Sequence, residues 1–175
     1  MTTLPIVKFG HEALSHAADP VTTWDEELEK LVRDMEETML AARGVGLAAN
    51  QVGLPQSLAI IDLNPGTQSS ELWVLTNPEI VETSGALKEE EGCLSIPGVT
   101  AMVERPEKVV VRFHDLRGDE KYIEGTGLLA RALCHELDHL AGMLFPQRIL
   151  GMRGDLLRSR VKKLLREEAW KDVYP

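Results

Sequence analysis

The sequence predicts an α+β domain in which antiparallel sheets pack around a central helix carrying a His-Glu-x-x-His motif, with a further helix at the C-terminal end. Three observations predict it. Apolar residues at helical spacing fall at 23–44 and again from 126 onward, the stretch between them breaks into short β-rich runs, and turn-forming clusters separate those runs. A chain of 175 residues with 43% hydrophobic and 27% charged residues is expected to form one soluble domain over 1–175, large enough to bury a core without disulfide staples, which excludes disordered and fibrous architectures.

The first element opens at Thr23-Trp24-Asp25-Glu26, a capping-box pattern, and continues through Leu28, Leu31, Val32, Met35 and Met39, one helical face, to end near Gly44. Gly44 itself has the character of a helix C-cap. After the glycine-rich segment 44–53, strands are expected at 58–63, 72–76, 80–83, 109–113 and 121–124. Asn64-Pro65-Gly66, Asn77-Pro78, Pro106 and Arg117-Gly118-Asp119 separate them as turns, which favours antiparallel pairing. Leu129, Ala132, Leu133, Leu137 and Leu140 restore helical spacing over 126–141, and Gly142 is a suitable terminator. A last helix is expected over 155–170, with Leu157, Val161, Leu164 and Leu165 as its apolar stripe.

Charge narrows the class of partner. Nineteen lysines and arginines against 28 aspartates and glutamates leave a net charge of −9, which argues against direct nucleic-acid recognition. The first 19 residues lack a secretory pattern and no run reaches membrane-spanning length, so a cytoplasmic, membrane-free protein is expected. Only Cys93 and Cys134 are present, and in a reducing compartment they are not expected to pair.

His135-Glu136-Leu137-Asp138-His139 falls inside a predicted helix, where residues four apart share a face, so both imidazoles can reach one metal ion. Glu136 follows the first histidine, in position to act as general base on a water at the metal. A catalytic site of this type needs a third protein ligand and an open position. No histidine downstream of His139 completes an extended zincin motif, so that ligand must come from elsewhere. Cys93, in Glu91-Gly92-Cys93-Leu94-Ser95, is a credible donor as a thiolate, although a free cysteine is more commonly a buried structural thiol. Cys134 is a poor donor, since one residue before His135 it points about 100° away on the helix.

Three segments in order, Gly44-Val45-Gly46-Leu47-Ala48-Ala49-Asn50-Gln51, Glu91-Gly92-Cys93-Leu94-Ser95 and His135-Glu136-Leu137-Asp138-His139, resemble the three motifs of the bacterial peptide deformylases, and the resemblance runs along nearly the whole chain. It implies that Cys93, His135 and His139 hold one divalent metal ion, with iron(II) as the native metal and zinc, nickel or cobalt in purified protein. It implies Glu136 as the proton carrier, with the Gln51 amide and the Leu94 N–H facing the developing oxyanion. Gly44, Val45, Gly46 and Gly92 become the substrate-binding backbone, and Arg105 matches a Val-x-Arg stretch assigned to substrate, with a structural salt bridge as the equal alternative. The implied substrate is the formyl-methionine end of nascent chains, with a transient ribosome contact through the C-terminal helix.

Two positions depart from the family pattern: Cys134, where glutamine is common, and Thr100, where arginine is common. The second bears on substrate preference. Two rival readings remain at this point. One is a metallopeptidase or N-acyl amidase built on the same helix motif. The other is a structural metal module, which would need His114 or Cys134 as a fourth ligand.

Overall fold

The computed structural model describes residues 2–170; Met1 and residues 171–175, the two ends of the expected 1–175 domain, lie outside the described residues. Helix α1 spans Glu26–Ala41 and is capped by Asp25, whose carboxylate accepts from the Leu28 N–H at 3.0 Å. The start lies two residues beyond the expected capping box. Trp24 is held outside the helix by its indole N–H, which donates to Thr76 Oγ1 at 3.0 Å, and the acidic first turn, Glu26, Glu27 and Glu29, suits the positive end of the helix dipole.

Five strands form one antiparallel sheet in the order β1 (Gly46–Ala48), β2 (Leu58–Ile61), β3 (Trp73–Ser84), β6 (Lys108–His114) and β7 (Glu120–Thr126). Strands β4 (Leu87–Gly92) and β5 (Thr100–Arg105) pair separately as a hairpin, Leu87 opposite Arg105 and Gly92 opposite Thr100. The sheet lies between helices at its β1–β2 end. Leu47, Leu58 and Ile60 pack with Met35 and Met39 of α1, while Ile61 faces the opposite cluster beside Ala130 and Leu133 of α2 (Gly127–Leu140). Both faces of β2 are therefore buried, as its unbroken apolar run requires.

Three expectations change here. The strands expected at 72–76 and 80–83 are one strand, because Asn77-Pro78 makes a bulge where pairing skips from Thr76–His114 to Glu79–Arg112. Proline has no N–H to lose there, and Asn77 exchanges side-chain hydrogen bonds with the backbone of Val21 at 2.8 Å each way. The β4–β5 hairpin was not expected, since Leu87-Lys88-Glu89-Glu90-Glu91-Gly92 shows no apolar alternation. Gly44 is not the left-handed residue that ends α1. Arg43 takes that conformation at φ 56°, and the closing bonds run from Arg43 N–H to Leu40 O and from Gly44 N–H to Met39 O.

Helix α2 ends as expected at Gly142, φ 72°, which donates to His139 O while Met143 donates to Asp138 O. The last helix, α3, spans Gly151–Arg166 and so begins a turn earlier than expected. Val161 is buried with Ile96, Val103 and Phe145, Leu157 and Leu164 pack beside it, and Leu165 is left half exposed. Among the described residues no helix is long and apolar enough to cross a membrane.

Candidate active site

Helix α2 presents His135 and His139 one turn apart, with their Nε2 atoms 3.1 Å from each other. The turn that follows β4 brings the Cys93 sulfur 3.2 Å from His139 Nε2, and the donor atoms of all three residues lie within 4.8 Å of one another. Among the described residues this is the cluster able to hold a metal ion, and neither His114 nor Cys134 joins it. Cys134 is a buried free thiol whose pKa burial raises, the inert fate expected of it. A thiolate and two imidazoles on rigid elements make a three-ligand set suited to a divalent transition metal with an open position, so the residues present fit such an ion.

The charges around the triad point the same way. Burial opposes a proton on His135, but the Cys93 sulfur and the Glu91 carboxylate outweigh it and raise its pKa well above the usual range. An environment that attracts a proton so strongly also attracts a cation. Burial and the neighbouring His135 charge hold His139 well below its usual range, and the neutral imidazole is the form that coordinates metals.

Behind the triad lies a charged layer that the sequence reading did not assign. His135 Nδ1 donates to Glu91 Oε1 at 2.7 Å, which fixes the ring so that Nε2 faces the cluster. Against the cost of burial, hydrogen bonds from His135 and Arg105 hold the Glu91 carboxyl at about 2. Arg105 bridges Glu91, through Nε at 3.1 Å and an Nη at 2.6 Å, to Asp138 at 2.5 Å, and Arg148 closes the layer on Asp138. Arg131, one turn before His135, reaches Glu91 at 3.0 Å and Glu89 at 3.2 Å and so ties the β4–β5 hairpin to α2. The available signal was a pair of acidic residues, Glu91 and Asp138, inside motifs otherwise destined for burial, because a buried carboxylate demands cationic partners.

Arg105 consequently departs from its expected role. Its guanidinium is buried, committed to two carboxylates, and absent from the cleft wall, a placement that suits bracing the ligands through Glu91. Of the two alternatives left open by the sequence, the structure shows the salt bridge.

A cleft of about 390 Å³ opens over the triad. Gly44, Val45, Gly46, Gln51, Gly92, Cys93, Leu94, His135 and Glu136 all line it, while His139 sits behind the wall with its main-chain carbonyl gripped by Asn50. Gln51, on the short 3-10 turn Ala49–Val52, is oriented by its own amide. Its oxygen accepts from the Ala48 N–H at 2.9 Å, which aims the NH2 at the Cys93 sulfur, 3.6 Å away, and at Ser95 Oγ, 3.3 Å away.

Glu136 is buried with one carboxylate oxygen lacking a hydrogen-bond partner, and burial pushes its pKa up to about 7. A divalent cation beside it would act in the opposite direction. Gly46 explains the glycine of the first segment, because a Cβ there would collide with the Glu136 carboxylate. Gly44 is similarly confined, its missing Cβ falling 2.9 Å from the Leu94 side chain.

With this geometry in place, the comparisons are consistent with one another. The family model described as polypeptide deformylase matches residues 3–153. A peptide deformylase of Acidobacterium capsulatum is 46% identical over 166 residues, covering 95% of this chain and 98% of that protein. The crystal structure of a peptide deformylase from Legionella pneumophila superposes with a TM-score of 0.86 at 42% identity, covering 96% of this chain and 98% of that one. A peptide deformylase from Ehrlichia chaffeensis, solved in complex with actinonin, gives a TM-score of 0.84 at 36% identity over 93% of this chain and 98% of that one.

Proposed function

This chain belongs to the polypeptide deformylase family, metal-dependent hydrolases that remove the N-formyl group from nascent peptides, and from that premise we propose that Cys93, His135 and His139 hold the metal while Glu136 carries the protons. The observation that carries the assignment is the convergence of three donor atoms within 4.8 Å at a cleft where a buried glutamate keeps one oxygen unpartnered. The whole chain acts as one catalytic domain.

A divalent ion on these ligands supplies Lewis acidity, which brings the ionisation of water into reach near neutral pH. Glu136 accepts the proton as the water oxygen adds to the formyl carbon. The Gln51 amide and the Leu94 N–H donate to the carbonyl oxygen as it gains negative charge, an electrostatic contribution that needs no reorganisation. Glu136 then returns the proton to the departing nitrogen, the C–N bond breaks, and formate and a free α-amine leave. The peptide lies extended along Gly44–Gly46, the segment that leads into β1, which is an edge strand of the five-stranded sheet with one side open to pairing. Gln51→Ala is expected to lower kcat by about 10²–10³-fold, the cost of one oxyanion donor, with KM little changed; an unchanged kcat would remove Gln51 from the site.

Iron(II) is the native metal on this reading, and zinc, nickel and cobalt are accommodated by the same soft and borderline donors. Protein prepared without oxygen should release formate from formyl-Met-Ala-Ser, lose that activity to a chelator, and regain more of it with iron(II) than with zinc. It should also leave the acetyl analogue untouched, because the formyl site excludes larger acyl groups. Faster hydrolysis of the acetyl peptide would favour the amidase alternative. Helix α3 is the ribosome-facing element: Arg153, Arg158, Arg160, Lys162, Lys163 and Arg166 face a single acid, Asp155, in a protein of net charge −9, and salt-sensitive co-sedimentation with ribosomes is its test. Substrates on nascent chains place the reaction in the cytoplasm.

A further inference from the structure

Arg43 stands on the wall of the cleft, exposed, and among the described residues no carboxylate lies within ion-pair distance of it. The other guanidinium of the wall, Arg131, is consumed by Glu89 and Glu91. Arg43 also occupies a costly backbone position. It holds the left-handed conformation, φ 56°, that closes helix α1, where glycine is the usual and least strained residue. A cationic side chain in that place, on the cleft wall and without an ion-pair partner among the described residues, suggests use by the substrate.

We propose that Arg43 sets substrate preference by pairing with an acidic side chain at the second or third residue of the formylated peptide. The inference rests on the reading of the cleft given above, with the peptide extended along Gly44–Gly46 and its formyl end at Glu136. Arg43 precedes Gly46 by three positions, at most roughly 10 Å of chain, which lies within the reach of two to three extended peptide residues. The opposing wall carries Glu90, but Thr100 Oγ1 donates to one of its oxygens at 2.9 Å, so its charge is partly engaged. Thr100 on that wall carries no charge and Arg131 is paired, so the unpaired positive charge lies on the α1 side of the cleft. Because alternate side chains of an extended peptide point to opposite walls, the preference belongs to one of the two positions only.

The test uses the metal-loaded enzyme and C-terminally amidated peptides, formyl-Met-Xaa-Ala-amide and formyl-Met-Ala-Xaa-amide, with glutamate, lysine or alanine at Xaa, so that no terminal carboxylate competes. At low salt, glutamate should exceed lysine in kcat/KM by about threefold to fivefold at one position, the size of an exposed ion pair, with the difference in KM and its loss at high salt. Arg43→Gly should abolish that difference without lowering the melting temperature, since glycine relieves the left-handed strain. Arg43→Glu should reverse it. Retention of the glutamate preference in Arg43→Gly, or no preference in the parent enzyme while the alanine peptides turn over, would overturn the role of Arg43 alone. Failure to hydrolyse the alanine peptides as well would overturn the reading of the cleft, and this inference with it.

Discussion

Replacing Glu136 by alanine should remove nearly all turnover, a loss on the order of 10²–10⁴ for proton transfer alone, while the protein keeps its metal and its fold. The physical basis is the state of the side chain. Glu136 is buried, one oxygen has no partner, and among the described residues no ion pair compensates it, so its carboxylate contributes little to stability and its place in the cleft is explained by chemistry. Alanine removes an unsatisfied acceptor and should leave the melting temperature unchanged or slightly higher, the signature of a residue kept for function at some cost in stability. Glu136→Gln preserves shape without basicity and should be as inactive. Metal stoichiometry, thermal melting and formate release, measured together on the two variants, separate proton transfer from metal loss. Substantial turnover in either variant that still holds metal would show that the proton travels another way.

Arg105→Ala should damage the enzyme by a different route. Its guanidinium joins Glu91 to Asp138 with all three side chains buried, and removal leaves both carboxylates short of a partner. Breaking a buried ion pair from one side costs about 3–5 kcal/mol, which for a domain of this size corresponds to a fall in melting temperature of roughly 10 °C. Arg131 on Glu91 and Arg148 on Asp138 moderate the loss without replacing the bridge. Metal affinity should fall about 10–100-fold, because the Glu91 carboxylate that orients His135 is no longer held from behind. Lysine should not rescue, since one ammonium cannot match a planar fork that reaches two carboxylates. A melting temperature within a degree or two of the parent would mean that Arg105 is dispensable to the layer.

The sequence and the structure agree most closely where chemistry is encoded locally. Four-residue spacing on a helix puts His135 and His139 on one face whatever surrounds them, and the alternation in Lys108–His114 buries Val109, Val111 and Phe113 as it must. The less legible parts owe their form to distant partners. The hairpin of Leu87–Gly92 and Thr100–Arg105 carries charges in place of an apolar stripe, and it is held to α2 by Arg131, a contact spanning about 40 residues of chain. Asn77-Pro78 reads as a break between strands until Val21 and Ser57 are seen to bind Asn77.

By itself, the amino-acid sequence determined the class of fold, the helix that carries two metal-binding histidines, and Cys93 and Glu136 as candidates, because each follows from residue type and short-range spacing; Gln51 entered only through the family resemblance. Tertiary structure alone decided that Cys93 closes on those histidines, that Arg105 is buried between Glu91 and Asp138, and that the bare Gly46 leaves room for the Glu136 carboxylate. Those outcomes depend on which side chains from remote segments share a buried space, and burial turns the same charge from a surface ornament into a structural requirement.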